Sequence, residues 1–197
     1  MLISSIIRLW PGLILLGAAL SAEASSTRCE LIGLAAHAPQ GWSSQPMVDM
    51  PETMAGCVLT RHDETGGLLG IQRLMSVTTS PDVAVEQAQA GMADLEVAIW
   101  NEMGFEIVEP LWRRDEIPMG GSMSKGFSTG TLLGMSAVIE ETELSQEIHL
   151  LLFHREKTHY AVTLISPRSD ATESLFQENR AAWNTLLGSL FVPTEER

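Results

Sequence analysis

The sequence predicts an α+β domain, an antiparallel sheet with two helices packed on it, preceded by a cleaved signal peptide. Short apolar and β-branched runs, bounded by Gly, Pro and acidic turn residues, recur from Cys29 to Val77 and from Phe105 to Ser166. Two stretches, after Ser80 and after Asp170, change to apolar spacings of three and four. The strand runs follow one another at hairpin distances, which suits antiparallel pairing beneath helices.

Met1 to Arg8 carries one positive charge, Leu9 to Leu20 is almost wholly apolar, and Ser21-Ala22-Glu23-Ala24 ends in small residues two apart. That is the layout of a secretory signal peptide over residues 1–24, cleaved after Ala24. The apolar run contains Pro11-Gly12 and falls short of the roughly 20 residues that a spanning helix needs. Arg28 stands before Cys29, where a lipid-modified cysteine normally follows a small residue. Residues 25–197 are expected to form a single soluble domain, periplasmic or secreted. In that oxidising setting Cys29 and Cys57 most simply form one disulfide. Closing a loop of about 28 residues would stabilise the fold by roughly 3 kcal/mol. A net charge of −13 argues against nucleic acid and anionic lipid as partners. It serves solubility, or an acidic face that attracts a basic partner or cations.

The elements follow in order. Cys29 to Ala38 reads as a first strand, ended by Pro39-Gln40-Gly41-Trp42. Gln45 to Thr53, with Pro46 and Pro51, reads as a loop, and Gly56–His62 and Leu68–Val77 as a hairpin around Asp63-Glu64-Thr65-Gly66-Gly67. Ser80-Pro81-Asp82 opens a helix of about six turns, with Val85, Ala88, Met92, Leu95, Ile99 and Met103 as its apolar stripe and Gly104 as its stop. Phe105–Glu109 and Leu111–Ile117 are extended segments broken by Pro110. Ser124–Gly130 and Leu132–Glu140 are strand material, and Glu141 to Leu144 is a turn. Gln146–Phe153 and Thr158–Ser166 are strands joined by His154-Arg155-Glu156-Lys157. Asp170 with Glu173 caps a second helix, whose buried face is Leu175, Phe176, Asn179, Ala182, Trp183, Leu186, Leu187 and Leu190. Glu195-Glu196-Arg197 is a polar tail.

Three segments carry a resemblance: the Pro39-Gln40-Gly41-Trp42 turn, the strand Thr158-His159-Tyr160-Ala161-Val162-Thr163-Leu164, and the helix end Leu186-Leu187-Gly188-Ser189-Leu190-Phe191-Val192-Pro193. In this order they resemble the PsbP-like family, which includes the DcrB-like periplasmic proteins. The resemblance implies a PsbP-like fold over the whole exported chain and an accessory or binding role. It supplies no catalytic residue to carry over.

The chemistry-bearing residues point the same way. No His-Glu-x-x-His or phosphate-loop pattern is present, and Gly120-Gly121-Ser122-Met123-Ser124 lacks the second glycine of a nucleophile elbow. Gly126-Phe127-Ser128-Thr129-Gly130 has the Gly-x-Ser-x-Gly spacing but falls in strand material followed by another strand, not at the strand-to-helix turn that motif needs. His149 and His159 flank a hairpin and either face each other or lie at its edge; with Glu147 or Glu156 they would offer zinc or copper ligands. Met47, Met50 and Met54, and Met119 with Met123, are soft donors or adaptable packing groups. Asp115-Glu116 and Glu140-Glu141 are adjacent pairs that point to opposite faces of a strand. The expected function is therefore an exported, non-enzymatic accessory protein of the cell envelope, needing no cofactor. It binds a protein partner through Trp42, Met47, Met50 and Met54. The alternatives are a metal- or small-ligand-binding protein and, last, a hydrolase.

Overall fold

The computed structural model describes residues 28–120, 123, 126–139 and 142–193. The signal peptide expected over 1–24, the pair Glu140-Glu141 and the tail Glu195–Arg197 lie outside them. The chain forms strands β1 (Arg28–Leu31), β2 (Leu34–His37), β3 (Ser43–Pro46), β4 (Met54–His62) and β5 (Leu68–Thr78). Helix α1 (Val85–Glu102), β6 (Phe105–Ile117), β7 (Gly130–Ile139), β8 (Leu144–Arg155), β9 (Thr158–Pro167) and α2 (Glu173–Gly188) follow. β3 to β9 build a seven-stranded antiparallel sheet in the order β3-β4-β5-β9-β8-β7-β6. The two helices and this sheet make the α+β architecture.

Side chains alternate across the sheet, so each face has its own core. Helix α1 covers one face, where Met92 and Trp100 pack on Met75, Ile148, Leu150, Leu152, Ala161 and Ile165. Helix α2 and the β1–β2 hairpin cover the other, where Trp183 and Leu186 meet Leu74, Leu151, Val162 and Leu164. β9 is buried along nearly its whole length because both faces are covered.

Several expectations are corrected. The first run is two strands, because Gly33 (φ 67°) turns the chain inside it. Ser43–Pro46 is an edge strand on β4, where Pro46 is tolerated. Helix α1 begins at Val85 after an extended Ala84, and Ser80-Pro81-Asp82-Val83 is a turn closed by Val83 N–H on Ser80 O (3.1 Å). Its buried residues are Met92, Glu96 and Trp100, so the stripe lies partly to one side of the expected one. Pro110 does not split β6; the strand crosses it with irregular register, as an edge strand can. Of the strand material expected over Ser124–Gly130, residues 126–129 precede the strand, which begins at Gly130. The cap before α2 is Ser169 with Thr172, around a short 3-10 turn at Asp170–Thr172.

Candidate functional site

The β3–β4 connection, residues 47–53, is the exposed apolar loop of the molecule's disulfide-bound end. Its base is fixed by β-pairing of Pro46 with Cys57 and by Met47 N–H on Gly56 O (2.8 Å). Cys57 is bridged to Cys29 of β1, with Cα atoms 5.9 Å apart, which is an ordinary disulfide span. Both cysteines are buried in the core beneath α2. The bridge therefore clamps the β1–β2 hairpin to the strand that carries the loop.

Within the loop, Met54 N–H closes a turn on Pro51 O (2.8 Å), and Asp49 adopts a positive φ of 58°. Val48 projects at the tip and is 74% exposed, the most exposed large hydrophobic side chain among the described residues. Met47 lies over Gly56, where a Cβ would fall 2.8 Å from its sulfur. Met50 and Met54 pack on the margin of the α1-side core. Asp49 and Glu52 are exposed beside them, which makes the tip both apolar and acidic.

Trp42 does not join this surface. It is 7% exposed and packs in the α2-side core, with its ring over Gly70, on the opposite face of the sheet from Met50 and Met54. The sequence grouping rested on proximity along the chain, whereas the short β3 turns the tryptophan inward. Val48 was missed because a lone valine between Met47 and Asp49 has no periodicity to mark it.

The expected His149–His159 site does not form. The β8–β9 register sets His149 against Leu164 and His159 against His154. The two residues therefore point to opposite faces. His149 lies under α2, with its ring edge-on to Trp112, Phe176 and Trp183 at 5.1, 5.7 and 5.8 Å. Its Nε2 donates to Glu147 Oε1 (2.6 Å), and Glu147 Oε2 is ion-paired with Arg168 Nε (3.1 Å). Arg168 also pairs with Glu173 and stacks over Phe176 at 4.4 Å. Burial pushes the His149 pKa below its ordinary 6.5; Glu147 opposes this, while Arg180 and Arg168 add to it. The imidazole's carboxylate partner is also engaged by Arg168. This network ties α2 to the sheet.

Two further polar groups lie between helix and sheet. Asn179 of α2 donates to Leu69 O (2.8 Å) and Ser166 Oγ (2.9 Å), and accepts from Arg61 Nη1 (3.3 Å). Under α1, Arg73 Nη2 meets Glu96 Oε2 at 2.5 Å with side chains 4% and 1% exposed, and Thr163 Oγ1 donates to the same oxygen (2.8 Å). Close as they are, the two charges are out of hydrogen-bonding alignment, and Arg73 Nε and Nη1 and Glu96 Oε1 also find no partner among the described residues.

At the far edge, a shallow cavity of about 290 Å³ opens at a β6 irregularity, lined by Pro110, Leu111, Trp112, Leu133 and Met135 among others. Asp115, on the same strand, accepts from Arg113 Nε and Thr131 Oγ1, both at 3.0 Å. Those bonds hold its carboxyl below the usual range, the Arg113 bond most.

No family model matches this chain, and no curated protein does. Among solved structures it is similar to the Ran-binding protein Mog1p of Saccharomyces cerevisiae, at 12% identity over 84% of this chain and 94% of that one, with a TM-score of 0.48. It is also similar to LpqN of Mycobacterium tuberculosis, involved in cell envelope biogenesis, at 14% identity over 87% and 88% of the two chains, TM-score 0.42. A Pseudomonas aeruginosa protein of unknown function, PA94, aligns at 14% identity over 79% and 84%, TM-score 0.38. These likenesses concern the fold and transfer no site residue.

Proposed function

We propose that this chain is an exported accessory protein of the cell envelope that binds a protein partner through the loop 47–53 and catalyses no reaction. The supporting observation is Val48, held exposed at the tip of a loop whose base is pinned by β-pairing and by the Cys29–Cys57 bridge. A large apolar side chain presented on a rigid frame loses little freedom on binding. With Met47 beside it and Asp49 and Glu52 around it, the tip fits an apolar pocket rimmed by Lys or Arg. The overall charge of −13 favours the same partner chemistry. The export signal of residues 1–24, the periplasmic location and membership of the PsbP-like and DcrB-like group belong to this proposal.

The test is site-specific photo-cross-linking in intact envelopes, from position 48 and, as a control, from exposed Gln177 on α2. The expected result is one defined protein adduct from position 48, absent from position 177 and abolished by Asp49→Lys with Glu52→Lys. Adducts that are the same from both positions, or none from position 48, overturn the proposal. Turnover of ester, peptide or glycan substrates by the purified protein would overturn its non-enzymatic part.

A further inference from the structure

At the turn end of the β8–β9 hairpin, His154 and His159 stand directly opposite each other. Their ring centroids are 5.6 Å apart and their planes tilt by 32°. His159 is 2% exposed and His154 half-buried, and Nδ1 of each ring is buried with no hydrogen-bond partner among the described residues. A buried polar atom left unpaired is destabilising, and native proteins rarely keep one without a bound species to satisfy it. Here two such nitrogens of the same kind sit on neighbouring strands.

The spacing suits a shared ion. A metal–nitrogen bond of about 2.0–2.1 Å places a metal roughly 3.2 Å from the centroid of its imidazole. Two imidazoles on one ion can then have centroids up to about 6.4 Å apart, and with both nitrogens turned to one ion the observed 5.6 Å would give a nitrogen–metal–nitrogen angle of roughly 120°. The neighbouring cation Lys157 is drawn off, its Nζ donating to Pro81 O (2.9 Å) and Val83 O (3.3 Å). The same cross-strand row continues through Val77 to Met54. Met54 is about two strand spacings away, on the order of 10 Å, too far to be a ligand but on the margin of the same end of the sheet.

We propose that His154 and His159 form a binding site for a borderline divalent transition metal, Cu²⁺ ahead of Zn²⁺. Imidazole suits both ions, and the divalent series places Cu²⁺ above Zn²⁺ at a given nitrogen site. Two protein ligands leave the remaining positions to water or to a donor from outside the chain. This site does not depend on partner binding through residues 47–53, and either can fail without the other.

The test uses the purified exported protein, stripped with a chelator and given one equivalent of Cu²⁺. Electron paramagnetic resonance reads the ligands, and a competition titration reads the affinity. The expected result is one ion per chain with nitrogen hyperfine structure. His154→Gln and His159→Gln each lose that structure and weaken binding at least tenfold, while His37→Gln and His62→Gln change neither. Circular dichroism checks that each variant folds; if His159→Gln does not, the half-buried His154→Gln decides. No bound ion, a spectrum unchanged in His154→Gln, or an ion that follows His37 or His62 overturns the proposal.

Discussion

Replacing Glu96 by Leu should be among the most damaging single changes in this protein. The substitution strands Arg73, 4% exposed beneath α1, without its counter-charge. Removing one member of a buried pair typically costs about 3–5 kcal/mol, because the remaining charge stays desolvated. Thr163 Oγ1 also loses its acceptor. The native pair is itself poorly compensated, since Arg73 Nε and Nη1 and Glu96 Oε1 have no partners among the described residues. Each unpaired buried group is worth about 1–3 kcal/mol. Removing all the polar groups together, as Arg73→Met, Glu96→Leu and Thr163→Val, should therefore restore native stability or exceed it by up to about 4 kcal/mol. Urea unfolding, followed by circular dichroism and tryptophan fluorescence, measures each variant, and a constant slope confirms comparable unfolding. The reasoning is refuted if Glu96→Leu costs less than about 1 kcal/mol, or if the apolar triple variant is as unstable as the single one.

Three other outcomes follow from the geometry. Replacing both Cys29 and Cys57 by Ser, whose 28-residue separation sets the loop, should lower stability by about 3.5 kcal/mol in urea unfolding. Gly134→Ala places a Cβ 2.3 Å from the Trp112 ring, so the indole must leave His149; fluorescence should shift, with about 1–3 kcal/mol lost. Because the folded His149 pKa is depressed below 6.5, the unfolded chain takes up a proton first as pH falls. Stability should be constant in this respect above about pH 6.5 and decline below it towards the folded pKa. With chelator present, His149→Phe should flatten that decline in unfolding curves taken between pH 7 and 5.

Where one physical signal governed an element, the sequence was readable. β8 and β9 are continuous apolar runs because helices cover both faces, and Gly104 ends α1 at a φ of 84° that favours glycine. Asn179 was placed correctly on the buried face of α2 because its spacing outweighs its polarity. The errors came from local rules overruled by partners distant in sequence. Glu96 carries no local signal of burial, because its partner Arg73 lies on a strand well upstream. Trp42 and the methionines are near in sequence but separated by the thickness of the sheet. His154 was assigned to the polar turn His154–Lys157, whereas the register pairs it with His159 and leaves only Glu156 and Lys157 to turn the chain.

The β1–β2 hairpin is completed by the other end of the chain. Ala35 and Phe191 exchange backbone hydrogen bonds of 2.9 Å in both directions, and His37 N–H meets Ser189 Oγ at 3.2 Å. The central sheet likewise waits for β9 to pair with β5. A growing polypeptide therefore cannot finish this structure until its last helix has been made. Topology of this kind slows folding, since distant segments must meet before their contacts reward the lost chain entropy. A ribosome-tethered chain ending before Phe191 should be far more protease-sensitive than one that includes it, so the nearly complete chain stays open until its final residues emerge.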